Sequence, residues 1–110
     1  EVIFSAPTQD ETDVEPTVTL RIQFNRDLDP ATFKDQVRLG YVGFVPGDPS
    51  WAPPSVTVRY DEGRRTMEIR FNTPLEPDRK LQVRLLEGIK GTDGQALVPW
   101  TLNFTTASRQ

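Results

Sequence analysis

The stretch Thr17-Val18-Thr19-Leu20-Arg21-Ile22-Gln23-Phe24-Asn25 alternates apolar and polar side chains along its whole length. Successive side chains of a β-strand point to opposite faces, so Val18, Leu20, Ile22 and Phe24 share one face and Thr19, Arg21 and Gln23 the other. A helix would scatter the same residues around its axis. Working outward, the pattern returns three times: Met67, Ile69 and Phe71 against Glu68 and Arg70; Leu81, Val83 and Leu85 against Gln82 and Arg84; Trp100, Leu102 and Phe104 against Thr101 and Asn103. The core expected from these strands is Val18, Leu20, Ile22, Phe24, Met67, Ile69, Phe71, Leu81, Val83, Leu85, Leu102 and Phe104.

Ten prolines and seven glycines punctuate the chain at short intervals. Between them, Val2–Ser5, Gln36–Val42 and Ser55–Tyr60 are weaker strands, and each proline falls between strands or at a strand start, where no ladder N–H is lost. Asp61-Glu62-Gly63-Arg64-Arg65 has the composition of a hairpin loop, with Gly63 expected to supply the positive-φ residue. Asp29 suits a helix N-cap and Pro30 the first helical position, so one short helical turn is expected there and no other. The set amounts to about seven short strands in an all-β, immunoglobulin-like antiparallel β-sandwich. With no cysteine in the chain, such a sandwich has no disulfide.

The 110 residues suit one domain, and a chain of this size buries enough surface for a single core without staples. The composition has neither cysteine nor histidine, which removes thiolate nucleophiles, Ser-His and Cys-His arrangements and the commonest metal ligands. Net charge is −3 and the thirteen basic residues are scattered, so no basic stripe points to nucleic acid. No apolar run approaches the ~20 residues of a membrane helix, and no leader pattern is visible. The first residue is Glu1, which reads as a mature or excised segment.

The order of elements from Pro7 to Thr106 resembles the bacterial Ig-like domains of the type found in the S-layer protein SbsA. The residues that carry it are Ser5-Ala6-Pro7 with Val14, then Ile22-Gln23-Phe24 leading into Leu28-Asp29-Pro30-Ala31-Thr32-Phe33. Val58-Arg59-Tyr60-Asp61, Pro74-Leu75-Glu76-Pro77, Gly88-Ile89-Lys90, Gly94-Gln95-Ala96-Leu97 and Trp100-Thr101-Leu102-Asn103-Phe104-Thr105-Thr106 follow. Three positions depart from the pattern: Leu81 where Tyr is usual, Gly91 where Asp is common, and Gln95 for a frequent Asn. These departures weigh against a side-chain-organised turn or ion site in the loop before the last strand. The resemblance implies one domain over residues 1–106 with a linker stub at 107–110. It further implies a non-catalytic spacer, stalk or adhesion module of a larger exported protein, extracellular, cell-surface or periplasmic, with neighbouring domains as partners. No catalytic, cofactor or metal residues come with it. An accessory domain of a hydrolase or of a macroglobulin-like inhibitor is the alternative that also uses serial β-sandwiches.

Candidate chemistry is sparse. Asp27 and Asp29 with Asp10 or Asp13 suggest a calcium site between modules, but no spaced ligand ladder is present, and capping and turn formation explain them more simply. The pair Asp27 and Asp29 lacks any sign of the cleft that a glycosidase needs. Asn103-Phe104-Thr105 fits a glycosylation triplet inside a strand. Arg21, Arg59, Arg70 and Arg84 fall at outward strand positions, with Glu68 as a cross-strand partner. The unusual segment is Gly40–Pro54, a proline-stiffened connection carrying Tyr41, Phe44 and Trp51. Those aromatics either close one end of the sandwich or present a contact surface for a protein or a glycan, with Trp51 as the leading anchor.

Overall fold

The structure, a computed structural model, describes residues 2–43 and 47–108, Ser50 for its backbone alone. Eight strands are present: β1 (Val2–Ala6), β2 (Glu11–Val14), β3 (Thr19–Phe24), β4 (Val37–Tyr41), β5 (Val56–Asp61), β6 (Thr66–Phe71), β7 (Lys80–Leu85) and β8 (Trp100–Thr106). One sheet has the order β1-β3-β6-β5 and the other β2-β8-β7-β4, so the fold is an all-β, Ig-like sandwich.

The alternating stretches form the inner strands of both sheets. Leu20, Ile22, Met67, Ile69, Leu81, Val83, Leu85 and Phe104 are fully buried, with Phe24, Phe71 and Leu102 beside them. Val18 is the exception to the expected core: it precedes β3 in a turn whose N–H donates to the Glu15 carbonyl, and it is only half-buried. Loops complete the core with Leu28, Leu75, Ile89 and Leu97.

The eighth strand is β2, in the region where turn residues Asp10 and Asp13 suggest only a loop. It runs parallel to β8, with Glu11 opposite Phe104 and Val14 opposite Thr106, so the second sheet is mixed rather than antiparallel throughout. Asp10 and Asp13 both take positive φ, 62° and 56°, a conformation that Asp tolerates better than most residues. Asp10 precedes and Asp13 lies within this irregular strand, which the chain reaches by crossing from the sheet of β1 after a cis Ala6–Pro7 bond.

Asp29 caps the expected turn: its carboxylate accepts the Ala31 N–H at 3.0 Å, and Pro30–Thr32 form a 3₁₀ turn. A second 3₁₀ turn, unforeseen, covers Pro49–Trp51. In the β5–β6 hairpin the positive φ falls on Arg65 at 51° and not on Gly63. The Arg65 carbonyl accepts the Phe24 N–H, which ties the hairpin to the end of β3.

The body measures 45 × 26 × 21 Å. Val2 lies opposite Phe24 at one pole, while Thr106 lies opposite Val14 at the other. The described chain thus starts at an N-terminal pole and finishes at a C-terminal pole, at opposite ends of the strands.

Candidate functional site

At the C-terminal pole the connection after β4 folds back on the sandwich. Tyr41 closes β4, and the 3₁₀ turn sets Trp51 edge-on against it, ring centroids 6.2 Å apart and planes at 85°. The Arg79 guanidinium lies 3.9 Å over the Trp51 ring and 5.5 Å from that of Tyr41. Guanidinium stacking of this kind is favourable because the ring face is electron-rich and the cation is weakly hydrated. The Tyr41 hydroxyl accepts the Glu76 N–H at 2.9 Å. The Thr106 hydroxyl donates to the Glu76 carbonyl at 2.7 Å and accepts the Arg79 N–H at 3.0 Å. The aromatic pair is therefore fastened to the end of β8.

Of the three residues expected at a contact surface, Tyr41 and Trp51 come together, while Phe44 lies outside the described residues. Both described rings are half-buried and already in contact with each other and with Arg79. Sequence reasoning missed Arg79 and the Glu76 backbone. No signal along the chain links position 79 to position 51, because their meeting depends on the β4–β7 register, which sets Tyr41 opposite Leu81, and on how the connection after β4 folds back.

The carboxylates are dispersed. Asp29 serves its cap. Asp27 lies 3.8 Å from the Arg65 guanidinium and accepts a 3.4 Å hydrogen bond from the Tyr60 hydroxyl, which itself accepts the Leu28 N–H at 3.0 Å. Burial of the ring, above all, lifts the Tyr60 phenol above its ordinary 10.0, and the negative Asp27 adds to the rise, while the Leu28 N–H and Arg65 oppose it. Asp10 and Asp13 flank and occupy β2, away from Asp27 and Asp29. Among the described residues no group of three or more carboxylates gathers as a metal site. The backbone of Asn103 is engaged on both sides, its N–H with the Gln9 side chain and its carbonyl with the Asp10 N–H. None of the described helices is long and apolar enough to cross a membrane.

Gly91, one of the three departures from the resemblance, has a steric reason to be glycine. A Cβ there would stand 2.8 Å from the Asp93 carboxylate and 3.2 Å from the Asp27 carbonyl, where the loop bridges to Leu28. Asp93 and Gln95 both meet the Arg26 guanidinium, which organises this loop from its side chains after all.

Two four-stranded sheets, one of them edged by a parallel strand beside β8, define an Ig-like sandwich domain. The chain belongs to the bacterial Ig-like domain family, whose model matches residues 1–106. No curated protein sequence matches it. Among solved structures it is similar to the selenomethionine form of PcoC, a copper resistance protein from Escherichia coli: 17% identity, 96% of this chain, 98% of that one and a TM-score of 0.69. CopC from Methylosinus trichosporium OB3b is similar at 12% identity over 99% of this chain and 94% of that one, TM-score 0.66. Domains 1–6 of the surface layer protein SbsC match at 16% identity over 99% of this chain, TM-score 0.66, and there the chain spans only 14% of the other's length. At such identities the likeness shows the fold.

Proposed function

We propose that this domain is a non-catalytic structural and interaction module of a larger exported bacterial protein, extending its polypeptide between neighbouring domains. The observation that carries the reading is the placement of the two ends at opposite poles of a 45 Å body. A domain with this layout adds its own length to a chain, as a spacer or stalk must. Residues 1–106 form the module and 107–110 the linker. Ala107 still gives its N–H to the Val14 carbonyl, so the linker leaves directly from the pole. The likeness to surface-layer domains supports a place outside the cytoplasm, on the cell surface or in the periplasm.

The residues of this chain give no support to the copper resistance named for PcoC. This chain has no histidine or cysteine, and its one methionine, Met67, is fully buried.

Small-angle scattering on two copies joined through residues 107–110 tests the spacer reading. The expected maximum dimension is close to twice the 45 Å length. A compact, side-by-side particle would overturn it.

A second reading rests on the Tyr41–Trp51–Arg79 cluster, a rigid aromatic surface at the pole where a partner protein or glycan could be met. A Trp51→Ala variant that is still folded at the assay temperature but loses a partner supports that role. A variant that melts lower and keeps the partner refutes it.

A further inference from the structure

The outward face of the β1-β3-β6-β5 sheet carries an imbalance that neither the spacer reading nor the aromatic cluster explains. Its in-register rows run Thr19–Arg70–Thr57 and Arg21–Glu68–Arg59 across β3, β6 and β5. Glu68 is engaged by Arg21, with Nε to Oε1 at 3.9 Å. Arg59 faces the same carboxylate across the ladder but makes no ion pair with it. Arg70 is flanked on both sides by threonine, where a self-neutralising sheet would carry an acid. Among the described residues neither Arg59 nor Arg70 has an ion-pair partner. One carboxylate thus stands among three guanidiniums, on a protein whose net charge is −3.

Between these side chains lies a hollow of about 310 Å³, lined by Thr57, Arg59, Glu68, Arg70 and Asn72. Its floor is low because Thr57 and Asn72 are short beside the arginines. The floor is also fixed: the Thr57 hydroxyl donates to the Asn72 side-chain oxygen at 2.9 Å, and the Asn72 amide donates to the Ser55 hydroxyl at 2.8 Å. That leaves one Asn72 N–H and the Ser55 hydroxyl proton for a ligand.

We propose that this hollow binds a carboxylate-bearing sugar residue, of the hexuronate class, within an acidic polysaccharide. The two free guanidiniums supply planar, forked donors that match a carboxylate. Asn72 donates to a ring hydroxyl, and the Thr57 hydroxyl and Glu68 each accept from one. Glu68 also argues against a nucleic acid backbone, whose phosphodiester oxygens give it no proton to accept, and against a bare phosphate, which offers it fewer hydroxyls than a sugar ring. The face changes sign toward the N-terminal pole, where Asp61 and Glu62 line the adjoining hollow, so the hollow engages one carboxylate of the polysaccharide at a time.

Affinity electrophoresis and calorimetry of the intact domain in ~0.15 M salt, with polygalacturonate as probe and dextran, dextran sulfate and inorganic phosphate as controls, test this. Expected results are binding of polygalacturonate over all three controls, a loss of at least tenfold in R59Q/R70Q, and a comparable loss in R59K/R70K, which keeps the charge but not the fork. E68Q weakens binding by severalfold, because the charged acceptor for a sugar hydroxyl becomes a weaker, neutral amide oxygen. Thermal melting of the arginine variants stays that of the parent, which separates the site from the fold. The proposal is overturned if dextran binds as well, if the double arginine variants bind unchanged, or if dextran sulfate or phosphate competes equally. Stronger binding in E68Q also overturns it, since that is the sign of plain electrostatic adsorption.

Discussion

Gly91 shows how one residue records a tertiary contact. The loop before β8 passes so close to Asp27 that a Cβ would meet its carbonyl, and Thr92 bonds that same carbonyl at 3.1 Å. Gly91→Asp is expected to cost about 1–3 kcal/mol through crowding, and Gly91→Ala less. An unchanged urea midpoint in both variants would remove this account. Phe24 and Phe71 differ in a related way: Phe24 is 1% exposed and Phe71 9%, at the rim. Phe24→Ala should cost about 3–5 kcal/mol, and Phe71→Ala measurably less, by chemical denaturation. Tyr60 adds a pH signature. Its phenol is held neutral more strongly in the folded state, so the contribution is intact below the unfolded value near 10.0 and is lost as pH rises through the higher folded value. Tyr60→Phe leaves the Leu28 N–H without its acceptor, at a cost of about 1–2 kcal/mol near neutral pH. In alkaline denaturation series the decline above about pH 10 should be shallower in Tyr60→Phe than in the parent. An equal slope would assign that decline to other groups.

At the level of elements, the sequence is most readable where burial is one-sided. In β3, β6, β7 and β8 the inner face must be apolar and the outer face faces water, so hydrophobicity prints a period of two. The strand β2 leaves no such print. Its residues Glu11, Thr12 and Asp13 are exposed and only Val14 is buried, because it is an edge strand held by backbone bonds to β8. Leu28, Leu75, Ile89 and Leu97 escaped the expected core for a similar reason: they sit in loops, where burial follows no period. The Gly40–Pro54 connection was legible as unusual, yet its composition could not separate a cap from a contact surface. The stack of Arg79 on Trp51, with Tyr41 at its edge, gives the ring a packing role in any case. Trp51→Ala should therefore remove about 1–2 kcal/mol and lower Tm by about 5–15 °C. Arg79→Lys, which keeps the charge and loses the planar stack, should reproduce part of that fall in a calorimetric scan. A parent-like Tm in both variants would show that the stack carries no stability.

For the whole molecule, the parallel β2–β8 pair decides how the domain bears tension. Force applied at the two ends draws β2 toward the N-terminal pole and β8 toward the C-terminal pole, so the strands are loaded in shear. The backbone bonds that join them, Asp10 N–H to Asn103 O at 2.7 Å and Ala107 N–H to Val14 O at 2.9 Å, then resist together and do not open one at a time. The edge hairpin offers an internal comparison. Ser55 and Asn72 are neighbours at one end of β5 and β6, joined by Asn72 N–H to Ser55 O at 3.0 Å. Pulling between those two positions peels the pair bond by bond. The chain has no cysteine of its own, so Ser55→Cys and Asn72→Cys provide specific handles. Forced unfolding reports the height of the barrier to rupture, not equilibrium stability, and so it separates the two geometries. Single-molecule pulling through the termini is expected to need a clearly higher force than pulling through the paired cysteines at the same loading rate. Equal forces would mean that the parallel strand bears no load, and a stalk built from this module would then draw its resistance from elsewhere in the sandwich.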